Sequence, residues 1–218
     1  MTGPPDPAAL RDRMVRDQVE RRGVRHARVL AAMRKVPRHR FAPGVSLGEA
    51  HADHPVGIGH GQTISQPYIV GLMLEALDPR PDDRVLEVGA GSGYQAALLA
   101  ELAGEVHAVE YVAELAETAT QRCRALGYEN LSVHTGDGTV GLAAHVPFDG
   151  IIVAAAAPEI APPLIEQLAV GGRLVIPVGG RGLQRLVVAT RRADGGVGER
   201  SLGECIFVPL LGAYGWPS

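Results

Sequence analysis

Cysteine is scarce: Cys123 and Cys205 stand far apart and are the only two in 218 residues. That excludes a disulfide scaffold and a cysteine-based metal cluster, and both thiols are expected to be reduced and structural. Aromatic residues amount to 4% of the chain. Their scarcity bears on the basic stretch 11–40, which holds eleven Arg or Lys against three acids. A stretch of that charge can meet nucleic acid or an acidic surface. No aromatic residue interleaves its arginines to stack on bases, so they read as solvated helix faces and no nucleic-acid partner is expected. No apolar run reaches the ~20 residues of a membrane span. The start Met1-Thr2-Gly3-Pro4-Pro5-Asp6-Pro7 also lacks the charged and apolar regions of a signal peptide. A cytoplasmic monomer without a membrane partner is the expectation. His51, His54 and His60, with Asp53, lack a helical i, i+4 pairing and a supporting Cys/His set, so no metal is expected.

With 46% hydrophobic and 21% charged residues, the chain fits one globular domain. Its parts are expected to be a disordered proline-rich tail over 1–7, N-terminal helices with a substrate-side loop over 8–78, and a core over 79–218. Apolar spacing predicts helices over Ala8–Arg22, ended by Gly23, and over Ala27–Val36, stopped by Pro37. Residues 37–66 carry many Pro and Gly and no sustained period, which marks a long loop of functional kind. A helix over Pro67–Leu77 follows. Ser65 could cap it, with Pro67 in the first turn, and capping alone would explain that serine.

From Asp82 onward strands and helices alternate. Strands are predicted at Arg84–Val88, Val106–Val109, Leu131–His134, Gly150–Ala154 and Arg173–Pro177, with helices at Tyr94–Leu102, Val112–Leu126 and Pro163–Leu168. Two further strands, Leu183–Thr190 and Cys205–Leu210, complete the set, the second antiparallel. This is the signature of an α/β fold, doubly wound, with a mostly parallel sheet of about seven strands, helices on both faces and an N-terminal helical extension. Ligands in such a sheet bind beyond the carboxyl ends of the strands. The first of those ends is Val85-Leu86-Glu87-Val88-Gly89-Ala90-Gly91-Ser92-Gly93-Tyr94. Alternating glycines there let a ligand lie against the backbone. A dinucleotide fingerprint needs its third glycine three residues after the second, and that place is Tyr94.

Glycines at 89, 91 and 93 instead resemble the first motif of S-adenosylmethionine-dependent methyltransferases, which implies a Rossmann-like sheet. Glu110, at the end of the second strand, then suits the two ribose hydroxyls, and Asp137, between Gly136 and Gly138, suits the adenine amino group. Glu87 is a buried acid in need of a partner, for which the amino group of a methionine moiety would serve. Glu87, Gly89, Gly91, Gly93, Glu110, Asp137 and Gly138 are therefore the candidate cofactor residues.

The order of motifs resembles one family more closely. Gly59 to Pro67 with its Gln62-Thr63-Ile64-Ser65-Gln66-Pro67 block, the glycine stretch, Gly136-Asp137-Gly138, Pro147-Phe148-Asp149-Gly150-Ile151-Ile152-Val153 and Gln167 through Gly179 are similar to the protein-L-isoaspartate O-methyltransferases. The similarity runs from about Arg11 to Leu210. It implies transfer of the S-adenosyl-L-methionine methyl group to the α-carboxyl of L-isoaspartyl residues in proteins and peptides, leaving S-adenosyl-L-homocysteine and using no metal. It also implies that Ser65 stands at the reacting centre and orients the acceptor, that Thr63 and Ile64 wall the methyl group, and that Val208 and Leu210 form the opposite wall. A carboxylic acid has a pKa near ~4, is ionised at neutral pH, and needs no general base.

Two other readings stay open at this stage. A methyltransferase for RNA or another acceptor would use the basic segment, although Ala154-Ala155-Ala156-Ala157-Pro158 fills the place where base-nitrogen enzymes carry Asn/Asp-Pro-Pro-aromatic. A binding module without chemistry is disfavoured by Ser65, Glu110 and Asp137 occurring together.

Overall fold

The computed structural model describes residues 6–217. The chain opens with α1 (Pro7–Met14), capped by the Asp6 carboxylate, which accepts from the amides of Ala8 and Ala9. Of the tail expected over 1–7, residues 1–5 lie outside the described residues, while Asp6 and Pro7 start a helix. The expected Ala8–Arg22 helix changes its winding on the way. A π-turn covers Val15–Val19 and a 3₁₀ turn covers Glu20–Arg22, before Gly23 ends the segment at φ +109. Val15 and Val19, four residues apart on one face, both point inward and are fully buried. Then come α2 (Ala27–Lys35) and the one-turn helix α3 (Leu47–Ala50).

The stretch read as a loop contains a small hairpin, β1 (Val56–Gly59) and β2 (Gln62–Ile64). His60 and Gly61 turn it, both at positive φ, as a two-residue hairpin turn requires. A single buried guanidinium anchors the loop: Arg38 is 0% exposed. It donates to the carbonyls of Ala50 (2.9 Å) and Ser65 (3.0 Å) and lies over the Tyr94 ring.

After α4 (Pro67–Leu77) the alternation is β3 (Arg84–Val88), α5 (Tyr94–Ala100), β4 (Glu105–Glu110), α6 (Ala113–Ala125), β5 (Leu131–Thr135), β6 (Phe148–Val153), α7 (Pro162–Glu166), β7 (Leu168–Gly179), β8 (Gln184–Arg191) and β9 (Val197–Cys205). The seven-stranded sheet runs β5-β4-β3-β6-β7-β8-β9. Strands β5 through β7 are parallel, and β8 and β9 are antiparallel. The last strand therefore lies earlier than the Cys205–Leu210 predicted. Gly198, Gly203 and the exposed side chains of β9 hide it from a hydrophobic pattern, since it is an edge strand with little to bury. Residues 206–210 instead cross the strand ends, where Ala156 and Leu210 are joined by a 2.8 Å hydrogen bond.

Two apolar layers flank the sheet. One joins Met14, Val19, Met33 and Phe41 of the N-terminal segment to Leu74, Leu98 and Leu99, so those helices are part of the core. The other packs Leu86, Val88, Phe148 and Ile151 against Leu164 and Leu168. Strand order reverses around β3, because β4 leaves on one side and β6 on the other. That puts a crevice at the carboxyl end of β3, over the glycine turn. Among the described residues no helix is long and apolar enough to cross a membrane.

Candidate active site

The glycine turn follows β3 with Gly89, Gly91 and Gly93 all at positive φ, a conformation other residues adopt at a cost. Glu110, at the end of β4, locks it. One carboxylate oxygen accepts from the Gly91 amide at 2.7 Å, and the other accepts from the Val112 amide at 2.9 Å. A cleft opens above this floor, between the glycine turn and the segments 62–65 and 208–211. Glu87, Gly89, Gly91, Glu110 and Gly138 line it, with Thr63, Ile64, Ser65, Val208 and Leu210. Gly93 does not line it. That glycine lies where α5 meets α6, and a Cβ there would come within 3.2 Å of Ala119.

Asp137 is also absent from the lining. Its Oδ1 accepts from the Thr139 amide and hydroxyl, and its Oδ2 accepts from the Ala213 amide at 2.8 Å. Asp137, expected from the motif to meet an adenine amino group, ties the segment after Leu210 to the sheet. Trp216 does the same from the other side, donating from Nε1 to the Ala156 carbonyl.

Charge in the cleft has one sign. Among the described residues no Lys, Arg or His lines it, while Glu87 and Glu110 both do. Glu87 is 0% exposed, and neither of its oxygens has a hydrogen-bond partner among the described residues. Burial, reinforced by the nearby Glu110, raises its pKa well above the ordinary glutamate value. An orphaned buried carboxyl is costly unless a ligand completes it, and the field here suits a cation. A pyrophosphate would meet two carboxylates and no counter-charge.

Ser65 does not cap α4. The cap position is Gln66, without a side-chain bond. Ser65 instead stands on the border between the cleft and a second recess, which is lined by Arg22, Gln66, Tyr68, Ile69, Ile206 and Phe207 among others. Thr63, Ser65, Ala154 and Val208 belong to both. Arg22 lies 3.8 Å over the Tyr68 ring and 3.3 Å from Asp53, and supplies the recess with a cation. Sequence reasoning missed Arg22, Tyr68 and Ile206, because they come from three distant segments with no shared motif. Tyr111 and Val112 had a signal available, since they directly follow Glu110.

Several other basic residues of 11–40 are engaged within the fold. Arg16 and Arg21 pair with Asp17, Arg34 with Asp12 and Glu20, and Lys35 with Glu101.

The sequence model described as Protein-L-isoaspartate(D-aspartate) O-methyltransferase (PCMT) matches residues 10–215. A protein-L-isoaspartate O-methyltransferase of Methanoregula boonei is 54% identical over 99% of each chain. One from Roseiflexus sp. is 54% identical over 92% of this chain and 91% of its own. The crystal structure of a Plasmodium falciparum beta-aspartate methyltransferase (PCMT), in complex with S-adenosyl-L-homocysteine, is similar at a TM-score of 0.80 and 26% identity. It covers 92% of this chain and 98% of that one. The match across nearly the whole length, at more than half identity, leaves one assignment: this chain belongs to the protein-L-isoaspartate(D-aspartate) O-methyltransferase family.

Proposed function

We propose that this chain repairs damaged proteins by moving the methyl group of S-adenosyl-L-methionine to the α-carboxyl of L-isoaspartyl residues. The observation that carries the reading is the cleft with two carboxylates and no cation, opening past Ser65 into a recess that carries Arg22. The cofactor supplies an activated methyl group on a positively charged sulfur. Glu110 receives the ribose hydroxyls on the lone pairs its two amide bonds leave free, and Glu87 receives the amino group of the methionine portion. Gly89, Gly91 and Gly138 let the backbone approach the ligand.

The acceptor needs no base to become a nucleophile, and among the described residues no His or Lys lines either recess. What the chain must do is align oxygen, carbon and sulfur and keep water out. The Ser65 hydroxyl holds one carboxylate oxygen at the border, Thr63, Ile64, Val208 and Leu210 wall the transfer path, and Arg22 draws in the anionic acceptor. Activity as a cytoplasmic monomer on proteins and peptides, apart from membranes and nucleic acid, fits this reading, as does the engagement of Arg16, Arg21, Arg34 and Lys35 in ion pairs. So does a division of labour in which 8–78 carries the substrate side and 79–218 the cofactor.

The test uses radiolabelled S-adenosyl-L-methionine with paired isoaspartyl and aspartyl peptides. Base-labile methyl ester is expected on the isoaspartyl member alone. Equal labelling of both, or of neither, ends the proposal.

A further inference from the structure

Three imidazoles that neither recess uses converge elsewhere in the fold. His107 comes from the middle of β4, His134 from β5, and His145 from the 3₁₀ turn Ala143–His145 that leads to β6. Each offers a ring nitrogen, and the three nitrogens lie within 4.8 Å of one another. His107 Nδ1 and His134 Nε2 are 3.1 Å apart. Two nitrogens on a tetrahedral ion with bonds of ~2.0–2.1 Å stand about 3.3 Å apart, close to this spacing, so ring rotations that turn both lone pairs to one point need little change in separation. The rings of His107 and His145 stack at 3.9 Å between centroids, so a turn of the His145 side chain brings the third donor in.

The surroundings distinguish this cluster from ordinary packed histidines. His107 is 3% exposed, and its Nε2 donates to Glu105 at 2.9 Å. That bond holds the proton on Nε2 and leaves Nδ1 with a bare lone pair aimed at His134. A carboxylate behind an imidazole is the arrangement that orients metal-bound histidines and raises their basicity. Glu105 is itself fixed by Arg84 Nε at 2.7 Å. A second Arg84 nitrogen holds the His145 carbonyl at 3.3 Å. One arginine thus positions both the carboxylate and the turn that carries the third ring.

We propose that His107, His134 and His145 bind one divalent transition-metal ion of the zinc class, with water completing the coordination. Imidazole donors select such ions over magnesium or calcium. The ion replaces the single proton that now bridges His107 and His134. It joins the edge strand β5 and the 143–145 turn to β4. The carboxyl ends of β4 and β5 carry Glu110 and residues 136–138, so occupancy stiffens the side of the cleft that holds the cofactor without taking part in methyl transfer.

The experiment titrates the chelator-treated full chain with zinc chloride, and separately with cobalt chloride, following bound metal, the visible cobalt band and the thermal midpoint. One equivalent is expected, with a midpoint rise of about 5–10 °C at zinc a hundredfold above its Kd. His134→Gln and His145→Gln, at partly exposed positions, each lose the equivalent and the rise while keeping the far-ultraviolet dichroism of the parent. Glu105→Gln leaves all three ligands in place and weakens binding about 10–100-fold. Cys205→Ser changes nothing. The proposal is overturned if the parent binds no equivalent, if the folded His134→Gln/His145→Gln double variant binds as the parent does, if Glu105→Gln binds at full strength, or if Cys205→Ser abolishes the equivalent.

Discussion

Arg38 reaches the backbone carbonyl of Ser65 at 3.0 Å from inside the core, and its other bond, to Ala50, closes the segment that precedes the serine. Ser65 is therefore placed by a buried cation twenty-seven residues earlier in the chain. Arg38→Met is expected to cost about 2–4 kcal/mol of stability, because two carbonyls lose a charged donor. Urea unfolding measures that loss, and turnover falls with it, since the loop no longer holds Ser65 at the border of the two recesses.

Ser65→Ala separates orientation from binding. Loss of one hydrogen bond to a charged acceptor, about 1.5–3 kcal/mol, lowers kcat by roughly 10–100-fold. Cofactor affinity, followed by calorimetry, stays within about twofold of the parent. A kcat equal to the parent's would remove the serine from the reacting centre.

Glu110→Ala is expected to weaken cofactor binding by about 1–3 kcal/mol. The glycine turn also loosens, because the Gly91 and Val112 amides lose their acceptor. Amide exchange at those two positions accelerates in the variant without ligand, which tells a weakened floor from a lost ligand contact.

Glu87 makes a pH-dependent prediction. Its folded pKa is raised by burial and by Glu110, whereas in the unfolded chain it ionises at the ordinary value. Its contribution to stability is complete below the ordinary glutamate range and is lost as pH rises from there through the raised pKa. Glu87→Gln without ligand is thus more stable than the parent at about pH 8 and equal to it at about pH 4. In the parent, cofactor binding ionises the carboxyl and releases a proton. Calorimetry in buffers of different ionisation enthalpy detects the release, and Glu87→Gln abolishes it.

Asp137→Ala sets the tail contact against the adenine contact. Loss of the Thr139 and Ala213 hydrogen bonds predicts about 1–3 kcal/mol of destabilisation, with faster amide exchange from Ala213 to Trp216. Weaker cofactor binding with unchanged exchange in that segment would restore the adenine role.

Much of the sheet is legible because β3, β4, β6 and the second half of β7 are short, largely buried apolar runs. The glycine turn and Glu110 are legible for the same reason, since their chemistry sits where a strand must end. The displaced last strand was not, because β9 buries little, and residues 206–210 are apolar through lining the recess and the cleft, outside any named strand. Nor could the role of Arg38 be read. A guanidinium in a basic segment looks solvated until the fold closes around it. Asp137 shows the limit of a motif, which supplies a carboxylate at the right strand end and says nothing of the amides that occupy it.

Thr63, Ser65, Ala154 and Val208 are all small, and all four line both recesses. Bulk at this shared boundary would disconnect capture from turnover. A chain with leucine at Ala154→Leu would hold cofactor on one side and aged peptide on the other while transferring nothing. One enlarged side chain would then turn a repair enzyme into an affinity reagent for its damaged substrates.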